Sequence, residues 1–240
     1  MKILGLSLIG LGTALTACSG NSATPAEYDD VAQSVGASTA SQSGDVGAMV
    51  DLVAIAHGTM PLGFTDSGNG VITGTVLGLD YSYMITCKNA SGTVLAACDS
   101  TTDSANVSFS WDGMITLPAI TATITREGNW SVSGLTTTTA TFNGNGTFVD
   151  DAMIANTSYH FDTSATYSDV AIDTGDEIAN NGEIQLSIDG SKQAASGSTS
   201  FSVDADITIH ADATATIILD GQHDYTLNLT TGVVTAGVSP

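Results

Sequence analysis

From about residue 70 to its end the chain alternates apolar and polar positions with a period of two, the signature of strands that bury one face. Val107, Phe109 and Trp111 alternate with Ser108 and Ser110, and Tyr159, Phe161, Ala165 and Tyr167 share one parity. So do Ile184, Leu186 and Ile188. The longest run sets Phe201, Val203, Ala205, Ile207 and Ile209 against Ser202, Asp204, Asp206, Thr208 and His210. Turn chemistry punctuates the pattern at Asp112-Gly113, Arg126-Glu127-Gly128-Asn129, Asn143-Gly144-Asn145-Gly146, Asp189-Gly190, Asp220-Gly221 and Thr230-Thr231-Gly232. After Pro118 the apolar parity moves from Ile115 and Leu117 to Ile120, Ala122 and Ile124, which reads as a β-bulge. The expectation is about a dozen strands joined by hairpins, with no helical crossover of the kind a parallel sheet needs.

Before residue 70 the period is helical. Thr24, Pro25 and Glu27 fit the N-cap, N1 and N3 places of a capping box, Tyr28, Val31 and Val35 follow, and Gly36 closes a short helix over 25–35. Residues 36–44 are small and polar and read as tether. A second helix over 45–57 opens at Asp45, aligns Val46, Met49, Val50 and Val53 on one face, and closes at Gly58 and Pro61. With no Lys or Arg on its polar face, it suits packing on a sheet better than a membrane surface.

These elements make the fold mainly β. We expect an antiparallel up-and-down meander, closed or curled into a barrel or half-barrel to hide its edges, with one or two short N-terminal helices. A two-sheet β-sandwich is the alternative. The apolar positions are too small and too diluted with Thr for the lipid-facing band of a membrane-spanning barrel.

The first eighteen residues follow neither pattern. Lys2 precedes an apolar run from Ile3 to Leu15, broken by Gly5, Gly10 and Gly12 and ending in Leu15-Thr16-Ala17-Cys18. The run is too short for a transmembrane helix, which needs about 20 apolar residues, and suits the apolar region of a secretory signal. Its end resembles the lipobox of bacterial lipoprotein signals, a resemblance confined to residues 1–18. That resemblance implies cleavage before Cys18, diacylglycerol on its thiol, and an acyl chain on the new amino terminus. More than one chain makes a durable anchor. Ser19, where Asp would favour inner-membrane retention in enteric bacteria, implies the outer membrane. The expected organisation is a signal peptide over 1–17, a lipid-anchored tether over 18–44 holding the short helix 25–35, and one unit over 45–240 made of helix 45–57 and a single antiparallel β domain.

Two further cysteines, Cys87 and Cys98, remain once lipid occupies Cys18. Beyond the cytoplasm they are expected to pair with each other. Cys87 follows the strand from Tyr81 to Thr86 and Cys98 ends one from Thr93 to Ala97, with Asn89-Ala90-Ser91-Gly92 as the turn. A tight turn there sets Cys87 opposite Val94, so the bridge needs a longer loop or a bulge.

Charge narrows the partners. Past Cys18 only Lys88, Arg126 and Lys192 stand against 25 acidic residues, a balance of −22. That disfavours nucleic acid and anionic headgroups, both of which want Lys and Arg clusters. Asp204 and Asp206, with His210 and Asp212 beyond, share the polar side of one strand, but alternate strand residues lie about 6–7 Å apart and cannot grip an ion unaided. Asp99, Asp103 and Asp173-Thr174-Gly175-Asp176-Glu177 are loop carboxylates that could hold calcium. The histidines, His57, His160, His210 and His223, do not gather in sequence, and no nucleophile elbow, zinc-helix motif or phosphate loop is present. No cofactor, metal site or catalytic residue is expected. The reading is a non-catalytic, lipid-anchored protein of the cell envelope, held to the membrane through Cys18. It acts as a structural, adhesive or binding β module, with a periplasmic carrier of an apolar ligand as the alternative and a calcium-dependent surface protein as a lesser one.

Overall fold

The computed structural model describes residues 22–42, 44–194 and 197–237. Cys18 and the rest of the expected leader lie outside them. The described chain is two helices followed by one sheet. Helix α1 (Pro25–Thr39) and helix α2 (Asp45–Ala56) precede β1 (Phe64–Asp66), β2 (Val71–Val76), β3 (Leu79–Asn89), β4 (Thr102–Leu117), β5 (Ile120–Ser133) and β6 (Thr139–Ile154). Then come β7 (Thr157–Asp173), β8 (Ala179–Ala194), β9 (Gly197–Ile209), β10 (Thr214–Leu219), β11 (His223–Asn228) and β12 (Val234–Ala236). All 12 strands pair antiparallel with their neighbours in chain order, giving a single meander. The edges β1 and β12 are not paired with each other, so the sheet is open and curled. Neither a closed barrel nor a two-sheet sandwich is what these strands build.

One face of every long strand is buried, and both helices lie against that face. Contacts from α1 to β5, β6, β10, β11 and β12 show how far the sheet bends round it. The bend brings the β11–β12 turn up to the β4–β5 tip: a Cβ on Gly232 would stand 3.2 Å from Leu117 and 3.3 Å from Ala40.

α1 begins as its sequence demands, with Thr24 as N-cap, Pro25 at N1 and the reciprocal Thr24–Glu27 capping box. It does not stop at Gly36. It runs on to Thr39, and Ala37, Ser38, Thr39 and Ala40 are buried, so residues 36–40 are core rather than tether. Gly36 is there for closeness: a Cβ at that place would collide with Val234 and stand 3.1 Å from the Gly232 carbonyl. Three tyrosine hydroxyls donate to carboxylates along the start of α1: Tyr28 to Asp220 at 2.6 Å, Tyr159 to Asp30, and Tyr225 to Asp29 at 2.9 Å.

Four of the expected turns are not turns. Asp112-Gly113 lies inside β4, Arg126 to Asn129 inside β5, Asn143 to Gly146 inside β6, and Asp189-Gly190 inside β8. At three of these places glycine makes room for an aromatic ring on a neighbouring strand, whereas Gly113 sits against the Gly78 carbonyl. Phe109 pairs with Gly128, Trp130 with Gly144, Phe201 with Gly190 and, near the edge, Phe64 with Gly74. A Cβ on Gly128 would reach 2.5 Å from the Phe109 ring. A ring laid over a strand glycine restores the packing that the missing side chain forfeits. The parity shift at Pro118 is a hairpin, not a bulge, since Leu117 pairs with Ile120 across Pro118-Ala119. The expected turns at Asn89–Gly92, Asp220-Gly221 and Thr230–Gly232 do reverse the chain.

Candidate functional site

A cleft of about 350 Å³ opens at one rim of the sheet. The C-terminal end of α2 supplies Ile55, β2 supplies Ile72 and β3 supplies Ile85. Val94, Leu95 and the Cys87–Cys98 pair close the opposite wall. Its single ionisable side chain is Asp66, at the mouth. The volume suits a small organic molecule, and the lining mixes these apolar side chains with polar groups from Asp66, Asn69 and Thr86.

The disulfide shapes that wall. Cys87 and Cys98 are bonded, with Cα atoms 5.4 Å apart, inside the range a bridge requires. The side chain of Asn89 builds the turn before it, accepting from the Ser91 and Thr93 amides at 3.1 and 3.0 Å. Lys88 then faces Val94, and the Leu95 amide donates to the Cys87 carbonyl at 2.9 Å. The strand expected over 93–97 goes no further. The chain leaves the ladder after Leu95 and folds back, which carries Cys98 to Cys87 despite the tight turn. Gly58, at φ +80°, lets the end of α2 pass the Cys98 carbonyl, only 3.0 Å from where its Cβ would stand. Helix, loop and bridge therefore share one wall.

A second centre lies deep between the helices and the sheet. Arg126 is 1% exposed, on the inner face of β5. Its Nη1 donates to Asp45 Oδ1 and to the Ser38 carbonyl, both at 2.9 Å, and Nη2 lies 3.7 Å from Asp150 Oδ2. The guanidinium sits over the Phe148 ring at 4.3 Å. Tyr167 donates its hydroxyl to Asp45 Oδ2 at 2.9 Å, and Ser38 donates more weakly to Asp150 at 3.4 Å. Burial pushes the Asp45 and Asp150 carboxyls above their ordinary range, with Arg126 pulling the other way. Burial also opposes the Arg126 charge, but the two carboxylates outweigh it and hold the guanidinium protonated. Burial, followed by the nearby Asp45, keeps the Tyr167 hydroxyl protonated as well. Sequence reasoning missed this centre because Arg126 stands in a turn-like tetrapeptide. The signal was its parity, shared with Ile120, Ala122, Ile124, Trp130 and Val132.

No known family, curated protein or solved structure matches this chain.

The other sequence candidates stay apart. Asp204 and Asp206 are exposed on the outer face of β9, where Gln185 donates to Asp206 at 3.3 Å and Asp220 Oδ1 accepts from the Asp204 amide at 2.8 Å. His210 meets Thr216 at 2.9 Å, and Asp212 accepts from Thr214 at 2.6 Å. Asp99, Asp103 and Asp173 each accept from hydroxyls or amides of their own or adjoining loops. His57 reaches the Leu135 carbonyl at 2.7 Å, His223 stacks on Tyr28, and His160 sits between Asp151 and Asp162. The hydrogen bond from Asp151 leads in raising the His160 pKa. Among the described residues no three His, Cys, Asp or Glu side chains gather as a metal site requires.

Proposed function

We propose that this chain is a non-catalytic, lipid-anchored binding protein of the bacterial cell envelope, placed at the outer membrane. Its half-barrel takes an apolar ligand in the cleft beside the Cys87–Cys98 bridge. The observation that carries the reading is the cleft itself, about 350 Å³ and walled by Ile55, Ile72, Ile85 and Leu95. An apolar ligand seated there would gain dispersion contacts with those walls. The lipobox-like end of the leader supports the anchor. Cys18 stands a few residues before Ser22, which bridges to Ser202 of β9, so an anchored chain would hold the first half of β9 close to the membrane.

Two measurements test the reading. The neutral probe N-phenyl-1-naphthylamine should brighten with the wild-type protein, and Ala96→Phe/Ala97→Phe, which fills the cleft from its exposed wall, should abolish the signal. A probe that ignores the wild-type protein, or binds the filled variant equally, sinks the cleft. Mass spectrometry of the mature amino terminus should find Cys18 acylated, and Cys18→Ser should free the protein from membranes. An unmodified Cys18 removes the anchor and leaves the cleft to be judged alone.

A further inference from the structure

Arg126 is the only arginine in the chain, and it points at a helix. Asp45, at the first position of α2, places one carboxylate oxygen on Arg126 and the other on the Tyr167 hydroxyl, each at 2.9 Å. Beyond that carboxylate the buried face of α2 is apolar, with Met49, Leu52, Val53 and Ile55, while Asp51 lies on its half-buried side, and its 12 residues span about 18 Å. From the sheet's side, α2 is a rod with a carboxylate at one end and a greasy body, which is the chemistry of a long-chain carboxylate.

The surrounding wall offers more donors than α2 uses. Arg126 Nε and Nη2, the Tyr83 hydroxyl, and the indole N–H groups of Trp111 and Trp130 are all buried without a hydrogen-bond partner. One acceptor, Asp150 Oδ1, is in the same condition. Interiors leave few polar atoms unpaired, so five donors in one aromatic cluster mark a surface suited to an acceptor the helix does not bring. The N-cap of α2, Gly44, makes no side-chain bond, and Gly47, Val50, Asp51 and Ala54 form a half-buried side.

We infer that the concave face around Arg126 and Tyr167 is a binding site for long-chain carboxylates, occupied here by Asp45 and the apolar body of α2 as an internal stand-in. Binding exchanges one carboxylate for another on the same two donors, while the ligand's chain replaces the contacts of α2, which departs on its half-buried side. The closed form competes, so the wild-type affinity is lowered by the small fraction of open molecules, and removing the Asp45 charge raises it. This site shares α2 with the disulfide cleft, which Ile55 helps to wall, but the cleft's lining contains neither tryptophan nor Arg126.

Both tryptophans of the chain report on it, the Trp111 ring standing 6.0 Å from the guanidinium carbon. Titration with 11-bromoundecanoate should quench tryptophan fluorescence, and Asp45→Asn should lower the half-quenching concentration at least tenfold. Neutral 11-bromoundecanol should quench wild type and variant alike. The cleft-filled Ala96→Phe/Ala97→Phe protein should keep the acid's quenching, so the two sites fail independently. Equal titrations of wild type and Asp45→Asn by the acid, or an alcohol that follows the acid, overturn the inference. If Asp45→Asn lacks native near-ultraviolet circular dichroism, hydrogen exchange on the wild type decides. Saturating laurate should deprotect the amides of 45–56 and spare those of β4 to β7, and unchanged protection of α2 rules the site out.

Discussion

Arg126 shows how one residue is held against its own solvation. Two carboxylates, a carbonyl and an aromatic face surround it, yet the raised pKa values of Asp45 and Asp150 show that burial costs those carboxyls more than the guanidinium returns. A buried pair of this kind is weak as net stabilisation and severe when broken. Arg126→Met should therefore cost about 3–5 kcal/mol, because it strands two acids, and urea titration at neutral pH would read it. Asp51, half-buried on α2, carries a second consequence. Burial, and then Glu177, lift its pKa from 3.8 to about 6. A folded pKa above the unfolded one means its contribution is complete below about pH 4 and lost as pH rises through about 6. Asp51→Asn should flatten the fall in stability between about pH 4 and 6, and at pH 7 should gain about 1 kcal/mol after allowance for solvent screening. An unchanged slope in thermal melts across that range excludes Asp51 as its source.

At the scale of elements, alternation proved a better guide than turn chemistry. A two-residue hairpin pairs residues whose numbers sum to an odd value, so it must exchange the buried parity. From Ala105 on, the buried positions of β4 are odd, those of β5 are even, and the exchange falls at Pro118-Ala119. Within β5 and β6 the parity runs unbroken through Gly128, Gly144 and Gly146, which already forbade tight turns there. What local sequence did not carry was the reason for those glycines, because the rings they accommodate belong to neighbouring strands. Gly144→Ala puts a methyl against the Asn129 carbonyl and 3.0 Å from Trp130. It should cost about 1–3 kcal/mol, as overpacking does, with the Trp130 emission shifted. An alanine variant as stable as wild type would mean that the strand yields freely. The end of α1 was lost for the same reason: Gly36 reads as a helix stop until Val234 is brought beside it.

Over the whole molecule, 25 carboxylates face 4 basic residues, for a net charge of −21. Hydroxyls do much of the work cations usually do: Tyr28, Tyr159, Tyr167 and Tyr225 donate to aspartates, as do Thr75, Thr101 and Thr214. Such bonds satisfy the acceptors without neutralising them, so self-repulsion remains. The melting temperature should climb as NaCl rises from about 0.01 to about 1 M, over which the screening length falls from about 30 to about 3 Å. A flat profile would show that the repulsion is negligible. The sequence alone determined the β class, the meander, the buried face of the strands from β4 to β11, the start of α1 and the pairing of Cys87 with Cys98, because each follows from local periodicity, capping chemistry or cysteine count. Tertiary structure alone decided that the sheet stays open and curled, that α1 reaches Thr39, and that Arg126, Asp45, Asp150 and Tyr167 converge. Those outcomes depend on contacts between residues some 20 to 200 positions apart, and local preference carries no record of a partner so distant in the chain.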